Sequence, residues 1–470
     1  MSLFKKFITF AMGNGIVFIL SFISTPIITR IIDADNMGKF SMFTTIGTLI
    51  LLITMLGLDQ TYVRYYYEET EENRGELLKK CIKIPIICWL VVSAILIIFF
   101  KPVSRFIIGK TSFVLVVLLV IHIFSTILTR FTLLEIRMKQ KAKLYSTLSV
   151  VLKLGYVVSV LVLFFAFKNN YITLILATIL SNIVMALVGI FIERDAWKPN
   201  SYKAKIQLKN EELIRYGIPF IFSMAITWIF QSIDKVTIRA FCGYSEVGLY
   251  AGAMTIIAIL NTVQDAFSVF WVPVAYEHYS KDEKDTDFFR KINNIVSLIM
   301  LLGAIILIAF KDVIILFLGP GYREAVFILP FLVFMPVMSC ISETTVIGIN
   351  FKKKTKNHIV IAVISAATNL VGNLLLVPSL GAKGAAISTG LSYVVFFLAR
   401  TIISKKYYNV NYNLGKIMSC IFFIYILAIY ASFHKFNIII MTMAVFCTIL
   451  VIATYKGIIG EGLRQIKGKN

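Results

Sequence analysis

Charge is scarce in this chain, and acid scarcer still. Of 470 residues only 15% are charged, and 25 Asp and Glu face 47 Lys and Arg, a formal net charge of +22. A freely soluble domain carries about 25% charged residues, so that class is excluded. The six cysteines (Cys81, Cys88, Cys242, Cys340, Cys420, Cys447) are scattered, without metal-ligand spacing or the pattern of a disulfide framework. Four histidines stand apart, and no H-E-x-x-H, C-x-x-C or hydrolase elbow occurs, which removes the common metal, thiol and serine chemistries. The stretch IIGKTS (107–112) has the ending of a phosphate-binding loop, but the first glycine would fall at Ser104 and no strand precedes it. With no ATP-binding module and no cofactor expected, transport energy has to come from a proton or sodium gradient, the membrane potential or the substrate's own gradient.

What is present is hydrocarbon. Hydrophobic residues make up 58% of the chain, mean hydropathy is +0.84, and apolar runs repeatedly reach the length of about 18 residues that spans a bilayer. The pattern predicts an all-α, polytopic membrane protein of about fourteen transmembrane helices, the first starting near residue 7 and the last ending near 455. The N-terminal run is too long for a signal peptide and reads as the first span. The basic residues gather between alternate spans, as in the RMKQKAK run at 137–143, Lys198 to Arg215, and KKKTK at 352–356. That asymmetry places both termini in the cytoplasm and makes the net charge a matter of topology and attraction to anionic membrane lipids rather than of nucleic acid. Short outer loops leave no room for the external domain of a membrane glycosyltransferase or polymerase.

The chain also repeats. RIIDADNMGKFSMFTTIGTLI (30–50) and RAFCGYSEVGLYAGAMTIIAI (239–259) each place an arginine at a helix end, a short turn, and a glycine with an aromatic two residues on. The organisation expected is an N-terminal lobe at 1–192 (spans 1–6), a polar cytoplasmic linker at 193–215, a C-terminal lobe at 216–403 (spans 7–12), and spans 13 and 14 with a cytoplasmic tail at 404–470. Repeats six spans apart are related by an axis along the membrane normal, a recurring transporter plan.

FQSIDKVTIRAF (230–241) puts three charges inside an apolar run. Gln231, Lys235 and Arg239 fall at i, i+4 and i+8 and share one helix stripe. A central charge facing lipid costs about 2.5–3.5 kcal/mol, so two readings compete. Lys235 and Arg239 extend to the interface with Asp234 neutralising one of them, or they form the wet, cationic wall of a cavity for an anionic substrate. In the second reading Arg30, Asp59, Gln60, Arg64 and Asp265 are the repeat-related partners. Lys153, His122 and Glu343 are further ionisable groups inside spans, candidates for ion coupling or charge pairing, with a packing role favoured for His122. Pro26 and Pro219 interrupt the two repeat-related helices and would let them bend.

These residues resemble a known group. FISTPIITRIIDADNMGKFSMFTTIGTLILLITMLGLDQTYVRYYYE (22–68) looks like the opening of bacterial polysaccharide-unit flippases of the multidrug/oligosaccharidyl-lipid/polysaccharide exporter superfamily. The turn with Gly38-Lys39-Phe40, LGLDQ at 56–60, and Arg64 with its aromatics are the most specific parts, and VPSLGAKGAAISTGLSYVV (377–395) is similar to the family's late Gly-Ala-Ala helix start. The resemblance implies a two-lobed, MATE-like bundle with spans 1, 2, 7 and 8 around a central cationic cavity. It implies carriage of an undecaprenyl-pyrophosphate-linked oligosaccharide across the bacterial inner membrane for O-antigen, capsule or exopolysaccharide, working alongside polymerase and chain-length proteins. A peptidoglycan-precursor flippase and a drug or cation antiporter are the alternatives within the superfamily.

Overall fold

A computed structural model describes residues 3–198, 208–458 and 460. Residues 199–207 of the expected linker and the tail from 461 lie outside these. Every long element is an α-helix, as hydrocarbon demands, because a helix pairs its own backbone N–H and C=O groups. In chain order the long helices are α1 (Leu3–Ile31), α2 (Ala34–Met55), α3 (Arg74–Ile98), α4 (Phe113–Met138), α5 (Ala142–Phe167), α6 (Tyr171–Ile192), α7 (Asn210–Phe241), α8 (Tyr244–Lys281) and α9 (Thr286–Ala309). There follow α10 (Leu329–Thr345), α11 (Lys356–Leu380), α12 (Ala382–Lys405), α13 (Leu414–Ala431) and α14 (Ile438–Thr454).

Among the described residues eleven helices are long and apolar enough to cross a bilayer, and α10 with the 3-10 turn Pro320–Phe327, bent by 61°, makes a twelfth. The shorter apolar helices at 15–31 and Ile438–Thr454 stand where the other two of the fourteen expected spans were placed. The protein is a multi-pass membrane protein, all-helical among the described residues.

The helices start where a polar side chain can meet the first unpaired N–H groups. Asp33 accepts from Asn36 N at 2.8 Å for α2, Ser112 from Leu115 N at 3.2 Å for α4, Asn170 from Ile172 N at 3.0 Å for α6, and Asp285 from Phe288 N at 3.1 Å for α9. The α12 start is capped from another helix: Glu246 of α8 accepts from Ala382 N at 2.9 Å, beside Gly381 at φ +58°.

The chain divides into two compact units, residues 1–228 and 229–470. In the first, α5 packs on α1 and α6, and α4 packs on α2, α3 and α6. The turn between α1 and α2 is tied to that between α5 and α6, with Asn169 Nδ2 donating to Asp33 Oδ2 at 2.7 Å and Tyr171 N to Asn36 Oδ1 at 3.1 Å. α2 ends where Leu56 (φ 49°) and Gly57 (φ 71°) turn left-handed into the short helix Leu58–Tyr65. A Cβ on Gly57 would lie 2.2 Å from the carbonyl oxygen of Gly217, so two backbones touch there and both glycines are fixed by contact. Trp228 also seats against α2, its Nε1 donating to Thr45 O at 3.2 Å. In the second unit α12 packs along α11 and α10, α8 and α9 pack on α10, and α14 packs on α9 and α13. A cluster of Trp271, Phe289 and Tyr408 closes the ends of α8 and α9.

Candidate functional site

The most constrained charge in the second unit is Asp234 of α7, 4% exposed. Its Oδ1 accepts from Asn373 Nδ2 at 2.7 Å and Asn369 Nδ2 at 3.1 Å. Its Oδ2 accepts from Tyr250 Oη at 2.6 Å and Thr389 Oγ1 at 2.8 Å. Four helices, α7, α8, α11 and α12, therefore converge on one carboxylate. Asn369 and Asn373 reach it together because i and i+4 share a helix face, and Asn373 Nδ2 is steadied by Asn369 Oδ1 at 3.0 Å.

All four donors are neutral, and among the described residues Asp234 has no ion pair. Lys235, the next residue, is half-buried and does not supply one. Asn373 Oδ1 is buried without a hydrogen-bond donor. A carboxylate with four neutral donors and an unmet amide oxygen thus stand together in an apolar bundle. What this arrangement lacks is a positive charge. Hard oxygen donors suit a proton or an alkali cation, and among the described residues there is no cluster of three His, Cys, Asp or Glu for a transition metal.

The other residues of the stripe stand differently. Arg239 lies with its guanidinium 4.1 Å from the Tyr244 ring centroid, and its Nε is buried with no hydrogen-bond partner. Gln231 and Asp265 are exposed. Asp234 is thus held by four neutral donors and forms no ion pair with Lys235 or Arg239. Glu343 of α10 pairs with Arg400 of α12 at 2.8 Å, and Arg400 also donates to Ser342 Oγ at 2.7 Å.

In the first unit Arg30 is exposed and donates Nη1 to Pro26 O at 2.8 Å. Asp59, 2% exposed, receives Arg130 Nε at 2.9 Å and a second, closer bond from Arg130 Nη2, with Gln60 Nε2 at 3.1 Å on the same oxygen. Asp59 Oδ1 is buried and has no partner. Arg64 is exposed and pairs with Glu68. Lys153 is half-buried, 5.5 Å from the Tyr156 ring centroid. His122 is buried against Phe43 at 5.3 Å between ring centroids, with Nδ1 unpartnered.

Two groupings escaped the sequence. α4 continues to Met138, past the end of its apolar run, and carries Arg130, 43% exposed, and buried Glu135. Beyond it, Glu135 accepts from Tyr62 Oη and pairs with Lys139 at 2.8 Å, while buried Glu193 pairs with Lys139 at 2.9 Å and Lys141 at 2.5 Å. Burial alone would push the Glu193 carboxyl up, but the bonds from Lys141 and Lys139 hold it below the usual Glu range. Burial likewise opposes the charge on Lys139, and Glu135 and Glu193 outweigh it and raise that amine above the usual Lys value. The Asn369/Asn373 pair had a readable signal: two amides four residues apart in an otherwise apolar run.

The fold matches the lipid II flippase MurJ in an inward closed conformation, with a TM-score of 0.71, 16% identity, and coverage of 97% of this chain and 99% of that one. It also matches an inward-facing multidrug resistance MATE family transporter of the MOP superfamily, with a TM-score of 0.57, 13% identity, and coverage of 86% and 95%. This is a MATE-like helical fold, shared with both of those structures. The chain belongs to the polysaccharide biosynthesis protein family, whose model matches residues 3–277. It is 23% identical over 416 residues to an uncharacterized membrane protein of Methanocaldococcus jannaschii, covering 80% of each. It is also 23% identical over 288 residues to a Lsg locus protein of Haemophilus influenzae, covering 59% of this chain and 67% of that protein.

Proposed function

We propose that this protein is a flippase that carries an undecaprenyl-pyrophosphate-linked oligosaccharide repeat unit from the cytoplasmic to the outer leaflet of the bacterial inner membrane, by alternating access. Its product feeds polymerase and chain-length proteins that build O-antigen, capsule or exopolysaccharide. Family membership supports the sugar, and the fold supports transport. The observation that carries the coupling is Asp234, a buried carboxylate held by neutral donors beside an unmet oxygen. Such a site exchanges a proton or alkali cation as the bundle opens to either side, linking a gradient to movement.

The pyrophosphate needs cations. Lys235 and Arg239 of the second unit have no ion pair among the described residues and are the groups assigned to it; the candidates in the first unit are Arg30, exposed, and Arg64, paired with Glu68. At about 4 Å and an effective dielectric constant near 20, each cation–phosphate charge pair is worth about 4 kcal/mol, enough to offset much of the headgroup's desolvation. In a host whose own copy is deleted, Arg30→Ala or Arg239→Ala abolishes surface polysaccharide at unchanged protein abundance. Full surface polysaccharide in both variants refutes the assignment.

The likeness to a lipid II flippase favours a second reading, carriage of the peptidoglycan precursor. Growth rescue of cells depleted of their lipid II flippase would select it, and failure to rescue, together with lost surface polysaccharide on deletion, selects the first.

A further inference from the structure

The first unit holds a cavity of about 930 Å³ between the residues that follow the short helix Leu58–Tyr65, the start of α3, the end of α4 and the residues just after α6. That volume is within the range of small-molecule sites, about 300–1,000 Å³. Tyr66 lines it, fully buried, and its Oη finds no hydrogen-bond partner among the described residues. An unpaired buried hydroxyl is costly unless something meets it.

The charges decide what that something is. Every cation on the wall is already opposed: Lys139 by Glu135 and Glu193, Lys141 by Glu193, and Arg74 by Glu71 at 3.5 Å. Asp195 is in turn opposed by Lys198 at 3.1 Å, and Glu72 also lines the wall. A phosphate would meet these carboxylates, and an organic cation would meet the lysines and Arg74, so neither charge is favoured. A neutral ligand rich in hydroxyls can donate to the carboxylates and accept from the amines at once. Tyr67 adds an apolar platform. Its side chain is 56% exposed, and its hydroxyl is tethered to Met138 O at 2.5 Å and to Gln140 Nε2 at 3.2 Å. Arg74 braces the rings of Tyr66 and Tyr67 at 4.6 and 5.5 Å and donates Nε to Tyr66 O at 3.1 Å. A held aromatic face beside planar donors and acceptors suits the C–H face and the hydroxyls of a sugar ring.

We propose that this cavity is a saccharide-binding site, distinct from the coupling carboxylate. It rests on the proposed carriage of glycosylated lipid for the source of the sugar, and on the wall itself for the chemical class. The test uses the full chain in nanodiscs of phosphatidylethanolamine and phosphatidylglycerol. Saturation-transfer NMR is recorded with galactose, N-acetylglucosamine and rhamnose, and with glycerol and inorganic phosphate as comparison probes. At least one sugar gives ring-proton saturation with a millimolar dissociation constant. Tyr66→Phe, which deletes only the unpaired hydroxyl, weakens that sugar about 5-fold, the worth of one hydrogen bond. Tyr67→Ala weakens it about 5- to 10-fold, and the exposed Gln140→Ala weakens it less. Absence of signal from all three sugars, binding of phosphate in their place, or equal binding by all three variants overturns the proposal. If sugar binding follows the variants while deletion of the protein leaves surface polysaccharide intact, the cavity stands and the carriage falls. If deletion abolishes polysaccharide and no sugar binds, the cavity falls alone.

Discussion

Asp234→Asn separates a structural carboxylate from a coupling one. The side chain accepts four hydrogen bonds, two amides at Oδ1 and two hydroxyls at Oδ2. An asparagine that keeps its oxygen toward Asn369 and Asn373 presents its Nδ2 to Tyr250 and Thr389, and both hydroxyls can reverse to accept. No bond need be lost. Four charge-assisted bonds become neutral ones, each weaker by about 1 kcal/mol, and the carboxylate's desolvation cost disappears, so the two changes largely cancel and net stability moves by no more than about 1–2 kcal/mol. Asp234→Ala has no such escape. It strands four donors at about 1–3 kcal/mol each before relaxation, and a loss of about 4 kcal/mol or more follows. Purified protein is therefore expected to melt near the wild-type temperature as Asn and well below it as Ala. The Asn variant also loses any rise in melting temperature with added sodium, or any dependence of transport on external pH, and it fails to export surface polysaccharide. Transport at the wild-type rate by Asp234→Asn would refute the coupling role and leave the carboxylate as scaffold. An Ala variant as stable as Asn would refute the hydrogen-bond accounting itself.

Three further predictions concern the first unit. Arg130→Ala leaves Asp59 charged and buried; because the Arg130 side chain is 43% exposed, the loss is about 2–3 kcal/mol rather than the roughly 3–5 of a fully buried pair, and Asp59→Asn in that background restores most of it in a double-mutant thermal-melting cycle. Glu193 has its folded pKa depressed, so its contribution is complete above the unfolded value of about 4.5 and fades as pH falls through the lower folded value. Lys139, raised, contributes fully below its unfolded value and is lost at alkaline pH above it. Melting of the wild type is thus insensitive to this cluster from about pH 5 to 10, and Glu193→Gln lowers it by about 1 kcal/mol across that window while removing the acid-side decline. Gly57→Ala drives a methyl to 2.2 Å from Gly217 O at a φ of +71°, costing about 2–4 kcal/mol. Gly217→Ala meets Leu56 O at 2.4 Å and should lower the yield of folded protein similarly, as read by fluorescence-detected gel filtration.

The fold was largely legible because hydrocarbon leaves few choices. Apolar run length sets span length, and the α1–α2 and α7–α8 turns carry their polar punctuation in the sequence. Site geometry was less so. Asp59 and Asp234 stood out as charges in apolar surroundings, but their partners are neutral or lie at helix ends, where hydropathy carries no signal. Arg130 was hidden because α4 extends beyond the apolar run, and Arg400 because it sits near the end of α12, where a basic residue reads as a topology marker. Tyr250 and Thr389 look like ordinary span residues, since one hydroxyl scarcely alters the hydropathy of a window. Only Asn369 and Asn373, repeated on one face, could have been found by eye.

The division between the two compact units falls at residues 228 and 229, inside α7. The first turns of that helix are pinned by Gly217 and Trp228 to the N-terminal unit, and its last turns hold the Asp234 network of the C-terminal one. A chain severed at 199–207 and expressed as two fragments would thus strip the first unit of a wall it owns, leaving that fragment with a raw apolar scar. Reassembly from halves would require the shorter piece to be completed by a helix borrowed from the longer, so gene-splitting experiments on this protein should be designed around α7 and not around the linker.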